Sequence, residues 1–245
     1  MSLRLDKALV ERGLVSSRTL AAKLIAERNV KVNGKVALKS SQLVGEKDFC
    51  QVASSDLTRY VSRAGHKLAG ALEAFPQIRL EGKRCLDAGA STGGFTQVLL
   101  ERGAASVMAV DVGHNQLTPM LRDHPSVEVF EGLNVRYLKP DMIGGEVEVT
   151  VSDLSFISLT LVMDALARST QHGGDLLLMV KPQFEVGKHF IGAGGVVNNP
   201  QAHQMALDKV YAAAEQTGLE VSGQQQSPLP GQDGNLEFFL WCKKA

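Results

Sequence analysis

Short apolar runs alternate with amphipathic stretches over most of this 245-residue chain. Such alternation is what a parallel sheet covered by helices on both faces demands. Strands are predicted near residues 83–87, 106–111, 127–130, 147–153, 174–180, 219–226 and 236–243, with helices between most of them. Several of these runs are apolar throughout, Leu176 to Val180 being one, as expected of strands buried on both faces. An amphipathic helix is predicted from Ser62 to about Phe75, and a mobile loop from Gln224 through Gly234. The first sixty residues have another rhythm. Leu5, Ala8 and Leu9 fall at helical spacing between Arg4 and Arg12, a helix that stops at Gly13, and Ser16 or Ser17 can cap a second helix through Glu27. A hairpin follows from Val30 to Val36 with Asn33-Gly34 as its turn, and 53–58 is a small polar linker. The expectation is a small α+β domain over 1–58 and a Rossmann-like α/β domain with a seven-stranded, mainly parallel sheet over 59–245.

Composition narrows the setting. Hydrophobic content of 44% and charged content of 21% are those of a globular protein, and no apolar run approaches the roughly 20 residues of a spanning helix. The N-terminus lacks the apolar stretch and cleavage site of a secretory signal, so a cytoplasmic location is expected, with no membrane partner. Cys50, Cys85 and Cys242 are far apart without a C-x-x-C, and the six histidines lack metal-ligand spacing. Reduced, buried cysteines and no metal are therefore expected. The formal net charge of zero hides a division: residues 1–60 carry eleven Lys and Arg against six Asp and Glu, and the remainder carries the compensating acidic excess. A basic module on an acidic body points to nucleic acid as the partner of the module.

The chemistry begins at Cys85-Leu86-Asp87-Ala88-Gly89-Ala90-Ser91-Thr92-Gly93-Gly94-Phe95, an apolar strand running through glycines into a helix. Glycine lets backbone approach a ligand, and the helix offers free N–H groups. The spacing is not the G-x-G-x-x-G of a dinucleotide cradle but D-x-G-x-S-x-G-G, which suits S-adenosylmethionine. The next strand ends in Asp111, able to accept hydrogen bonds from both ribose hydroxyls of an adenosine. Further along, Asp153 and Lys181 each follow an apolar strand, Glu237 lies among apolar residues, and Lys67 sits on the helix before the sheet. Two lysines and two acids could form a structural ion-pair cluster. Methyl transfer to a ribose hydroxyl gives them a use, because that oxygen must be held in line and lose its proton. On this reading Lys181 is the base, Lys67 tunes it as a neighbouring like charge, and Asp153 and Glu237 hold the pair. Phe156, Phe184 and Phe190 could stack on an extruded base, and 192–195 could order over substrate.

Lys67, Asp153, Lys181 and Glu237 match in order and context the K-D-K-E tetrad of FtsJ-like ribose 2′-O-methyltransferases. More closely, S-R-A-G-H-K-L, D-A-G-A-S-T-G-G-F-T, V-D-V-G, S-D-L-S-F-I-S-L, K-P-Q-F-E-V-G and G-N-L-E-F-F resemble the TlyA family of rRNA methyltransferases, often catalogued as hemolysins. R-L-D-K-A-L, S-R-T-L-A-A-K-L-I and V-K-V-N-G-K resemble the S-four type RNA-binding domain. The resemblance implies 2′-O-methylation of cytidine in ribosomal RNA, with assembled ribosomal subunits as substrates and S-adenosylmethionine as donor. It implies a cofactor site of Asp87, Gly89, Ser91, Gly93, Gly94, Phe95, Asp111, Asn134 and Asp153. In the small domain it implies RNA contacts from Arg4, Arg18, Lys23, Arg28, Lys31 and Lys35. Two segments depart from the family pattern: Glu131-Gly132-Leu133-Asn134 stands for E-R-T-N, and Gly113-His114-Asn115-Gln116-Leu117 for G-Y-G-Q-L. A membrane-active hemolysin, a methyltransferase with a small-molecule or protein acceptor, and a non-catalytic ribosome assembly factor are the competing readings.

Overall fold

The computed structural model describes residues 2–15, 17–53 and 59–245, in two units, Met1–Ser62 and Arg63–Ala245. Ser16, one of the two expected caps, and all of the expected linker but Ala53 lie outside the described residues.

The first unit holds α1 (Leu5–Glu11) and α2 (Arg18–Ala26) against short strands. Ser17 caps α2, its side chain accepting the Leu20 N–H, which satisfies one of the free donors of the first turn. Leu5, Leu9, Leu24, Ile25 and Val30 are buried almost completely between helices and strands. Among the described residues the strands form two sheets, one pairing β1 (Leu3–Arg4) with β4 (Leu43–Val44) and one of three strands ordered β3 (Lys35–Val36), β2 (Val30–Val32), β5 (Cys50–Val52). Asn33 and Gly34 both take positive φ, 50° and 79°, as a two-residue hairpin turn of primed type requires. Asp6, at 4% exposure, is buried in this unit. Arg4 Nε donates to its Oδ1 at 3.1 Å and Arg18 Nη2 to its Oδ2 at 2.8 Å. These hydrogen bonds, Arg4 first and Arg18 second, pull the carboxyl below the usual carboxylate range to about 2. Two cations expected to face RNA are thus tied to an internal acid, though both guanidiniums stay about half exposed.

In the second unit α3 (Arg63–Ala74) precedes a seven-stranded sheet. Its strands are β6 (Arg84–Ala88), β7 (Ser106–Asp111), β8 (Val127–Glu131), β9 (Val147–Ser152), β10 (Thr170–Val180), β11 (Leu219–Gln226) and β12 (Phe238–Lys244). The order across the sheet is β11-β12-β10-β9-β6-β7-β8, with only β12 reversed. β6 is the first strand of the sheet and pairs with β7 on one side and β9 on the other, so the chain changes direction of winding at β6 and opens a crevice at its carboxyl end. The helices α4 (Gly94–Glu101), α5 (Pro119–Arg122), α6 (Met163–Ser169), α7 (Pro182–Glu185) and α8 (Pro200–Gln216) connect the strands. One continuous core runs through Leu86, Met108, Leu166, Leu176, Leu178 and Leu240, each fully buried.

Two stretches differ from expectation. β10 begins at Thr170 rather than near 174, and its register against β9 breaks between Thr170 and Asp175. The buried Thr170 and Thr150 hydroxyls bond each other at 2.7 Å there, a polar pairing that an apolar pattern cannot signal. Gln224, Gln225 and Gln226, which the predicted strand 219–226 and the predicted loop from Gln224 both claim, belong to β11, paired with Leu240, Phe239 and Phe238, so the loop begins only after them. β11 is an edge strand, and its backbone pairs with β12 while the glutamines stay in water.

A carboxyl held near 2 contributes stability that is full above the ordinary Asp range and lost as pH falls toward 2. Asp6→Asn should therefore lower the thermal midpoint of the unfolding phase that reports the first unit at neutral pH, and the gap from wild type should close on acidification from about 4 to about 2. Thermal scans of both proteins across that range check it.

Candidate active site

The turn from β6 into α4 is built around positive-φ residues: Gly89 at 92°, Ser91 at 46° and Gly93 at 100°. A Cβ at Gly89 would lie 2.8 Å from the carbonyl oxygen of Asp153, so glycine is what lets this turn rest on the segment leaving β9. A Cβ at Gly93 would run into Leu121 and, at 2.7 Å, Leu117. Asp111, at the end of β7, receives the Ser91 N–H on Oδ2 at 2.8 Å and the Gly113 N–H on Oδ1 at 2.7 Å. Both oxygens keep further lone pairs, so the acid is fixed in place and still able to accept. A small cleft beside it is lined by Ala90, Ser91, Asp111, Gln116, Leu117 and Glu131. Behind the turn, Asp87 is fully buried. Thr96 Oγ1 donates to its Oδ2 at 2.6 Å, while Oδ1 has no hydrogen-bond partner among the described residues. Burial pushes this carboxyl up to about 7 against the opposing hydrogen bond from Thr96. A buried acid with a free oxygen suits a neighbouring cation, and the ammonium of an amino-acid-bearing cofactor is one.

The sheet brings the tetrad residues to its carboxyl edge as two ion pairs. Lys181 follows β10 and Asp153 follows β9; Nζ lies 2.6 Å from Asp153 Oδ1, an ion pair whose angles fall outside hydrogen-bond geometry. Lys181 Nζ also donates to Ser155 Oγ at 2.8 Å. Lys67, on α3, donates to Glu237 Oε2 at 2.5 Å, and both side chains are buried. Each lysine has its own carboxylate. Register accounts for the convergence, since Leu178 pairs with Ser152 of β9 and Val180 with Phe238 of β12, which puts Asp153, Lys181 and Glu237 just beyond three adjacent strand positions.

Residues 153–159 are fastened to residues 181–185 at three levels. Asp153 and Ser155 meet Lys181, the Phe156 ring lies 5.4 Å from that of Phe184, and Glu185 accepts from Ser158 Oγ at 2.5 Å and Leu159 N–H at 2.7 Å. Phe156 is 92% exposed and takes φ of 63°, a strained conformation for an aromatic residue. Ser155 and Glu185 were not singled out by sequence reasoning, although both lie inside the S-D-L-S-F-I-S-L and K-P-Q-F-E-V-G segments. Asn235 was missed as well: it is buried, accepts the Val197 N–H at 2.9 Å and donates to the Gly195 carbonyl at 3.0 Å, anchoring the glycine loop of 192–195 two residues before Glu237.

Two expected cofactor contacts have other partners. The Phe95 ring is 2% exposed and stacked on Phe239 in the core, so only its backbone belongs to the turn. Asn134 is exposed, and its side chain accepts the Arg136 N–H at the start of a 3-10 turn over Val135–Tyr137. Among the described residues, no helix is long and apolar enough to cross a membrane.

Comparison with known proteins agrees with this geometry. Residues 60–244 match the FtsJ-like methyltransferase family and residues 3–50 the S4 domain. The 16S/23S rRNA (cytidine-2′-O)-methyltransferase TlyA of Mycobacterium tuberculosis is 49% identical over 98% of this chain and 89% of its own length. The 23S rRNA (cytidine-2′-O)-methyltransferase TlyA of Campylobacter jejuni is 33% identical over 96% of this chain and 97% of its own. A solved structure from Streptococcus thermophilus, described under the hemolysin name, superposes with a TM-score of 0.78 at 38% identity, covering 100% of this chain and 89% of that one. With the tetrad, the glycine turn, the sheet order and full-length similarity in accord, this chain belongs to the TlyA family of FtsJ-like methyltransferases with an N-terminal S4 domain.

Proposed function

We propose that this chain transfers the methyl group of S-adenosylmethionine to the ribose 2′-hydroxyl of a cytidine in ribosomal RNA, acting on assembled ribosomal subunits in the cytoplasm. The observation that carries the reading is the juxtaposition of the Lys181–Asp153 and Lys67–Glu237 pairs with the glycine turn at the carboxyl edge of the sheet. The activities for which the M. tuberculosis and C. jejuni relatives are named support cytidine and ribosomal RNA as its target.

The cradle fits the cofactor. Gly89, Ser91, Gly93 and Gly94 present backbone at the start of α4, Asp111 accepts from ribose hydroxyls, and Asp87 offers a carboxylate to the ammonium. Held there by Asp87, Asp111 and the glycine turn, S-adenosylmethionine would supply an electrophilic methyl group on a cationic sulfur. The chain must hold the ribose oxygen in line and take its proton. Lys181 Nζ, steadied by Ser155, hydrogen-bonds that oxygen. Lys181 then takes the hydroxyl proton, and Asp153, 2.6 Å from its Nζ, holds the ammonium that results. Lys67, held by Glu237, orients the oxygen and keeps a fixed positive charge near the negative charge that develops on it. Phe156, backed by Phe184, offers an exposed ring on which an extruded base can stack. Lys23, Arg28, Lys31 and Lys35 of the small unit are exposed and supply phosphate contacts, joined by the outer parts of Arg4 and Arg18.

Lys181→Ala and Lys181→Arg should both lower turnover by about 10²- to 10⁴-fold, because arginine keeps the charge but cannot give up its proton. Calorimetric titration of S-adenosylmethionine should meanwhile give affinities within about twofold of wild type. Near-normal turnover by Lys181→Arg would remove the base assignment. Asp111→Ala should behave in the opposite way, weakening cofactor affinity by about tenfold to a hundredfold while saturating cofactor restores kcat; steady-state kinetics over a cofactor series reads the split.

A further inference from the structure

In the three-stranded sheet of the first unit, side chains alternate between the core and water. Val30, Val32 and Cys50 point inward and are buried. Lys31 therefore points outward, and its cross-strand partners Val36 on β3 and Gln51 on β5 share its face. The ladder continues past β5: the Asn33 N–H donates to the Phe49 carbonyl at 2.8 Å, and the Phe49 N–H donates to Asn33 Oδ1 at 2.8 Å. Asn33 and Phe49 are thus the next outward row, with Phe49 diagonal to Lys31 and within its reach. The outer face consequently carries an aromatic ring 64% exposed, a valine 43% exposed and a lysine between them.

The exposed phenylalanine offers this face an aromatic ring that a partner can cover. The residue is held rigidly, since its backbone N–H and carbonyl both bond Asn33, and Asn33 Nδ2 also donates to Asp48 Oδ1 at 2.8 Å. The acid beside it is occupied: Asp48 Oδ2 takes the Gly45 N–H at 2.7 Å, and the Arg12 guanidinium donates to the Asp48 carbonyl at 2.5 Å. A flat apolar surface on a fixed backbone, flanked by Lys31 on the same face and Lys35 at the hairpin, matches the chemistry of an unpaired nucleotide, with a ring for the base and cations for the phosphates.

We propose that the outer face of this sheet, centred on Phe49 with Lys31 and Val36, is a stacking platform for an unpaired base of the RNA substrate. The proposal rests on the ribosomal-RNA reading above and adds a recognition site outside the methyltransferase unit. The S-four type resemblance assigned cations to RNA contact and gave Phe49 no part.

The full chain is tested by co-sedimentation with ribosomal subunits, and by filter binding to the protein-free rRNA extracted from them, across a salt series. The subunits come from a strain that lacks the protein. Phe49→Ala should lower affinity by about tenfold at every salt concentration without altering the slope of log affinity against log salt, because stacking releases no counterions. Phe49→Trp should restore binding. Lys31→Ala should reduce that slope by about one. Cofactor affinity and thermal unfolding of all three variants should match wild type. Wild-type affinity in Phe49→Ala overturns the platform while the ribosomal-RNA reading stands. A loss seen on subunits but absent on protein-free rRNA also overturns it, by assigning the face to a ribosomal protein. Wild type that binds neither subunit nor rRNA removes both readings together.

Discussion

A lysine buried at the edge of a sheet costs several kcal/mol unless a carboxylate comes with it, and this constraint organises the catalytic unit. Lys181 is 8% exposed and Lys67 7%, and each is held by one acid, Asp153 and Glu237. The four side chains come from separate parts of the chain: one helix and the segments following or preceding three strands. They can meet only if β9, β10 and β12 lie side by side in that order, with β12 reversed so that its beginning, not its end, reaches the same edge. The reversed strand is what delivers Glu237 to the carboxyl ends of β9 and β10. Removing either partner of a pair would leave a buried charge, so the arrangement is intolerant of single changes.

Strain is concentrated at the same edge. Outside glycine, positive φ occurs in the second unit at Ser91, Asn115 and Phe156, all in loops that leave β6, β7 and β9 at their carboxyl ends. Each strained residue is fixed by its neighbours. Ser91 donates its N–H to Asp111, Asn115 donates its N–H to Glu131, and Phe156 lies between the Ser155–Lys181 contact and the Ser158–Glu185 contact. A backbone held out of its preferred region by a surrounding network is one set for a ligand in advance.

Much of this was legible in the sequence. The strands of the large sheet fall close to the expected ranges because buried parallel strands are continuous apolar runs, and the tetrad could be found because charges stand out at their ends. The glycine turn and Asp111 were legible for the same reason, since an acid after Val110 has no place in a core. What escaped were features without a pattern. Ser155 and Glu185 owe their significance to which atoms face one another, and a serine in the loop after β9 or an acid ending α7 has no signature of its own. The family resemblance placed Phe95 in the cofactor site, but helical geometry turns its ring away onto Phe239. The glutamines of β11 fit both the predicted strand and the predicted loop, because edge strands need no apolar periodicity to decide between them. Which acid holds which lysine, Glu237 for Lys67 and Asp153 for Lys181, is settled by strand register and the place of α3, which residue order alone does not reveal.

The central claim is that the charged edge of this sheet methylates a ribose hydroxyl of ribosomal RNA. The most direct measurement supplies S-adenosylmethionine carrying a labelled methyl group to purified small and large ribosomal subunits from a strain lacking the protein, then hydrolyses the RNA in alkali. Label retained in an alkali-resistant dinucleotide with a 2′-O-methylcytidine on its 5′ side is the predicted result. Label absent from both subunits and from naked rRNA, or present on a base and released in mononucleotides, would contradict the account.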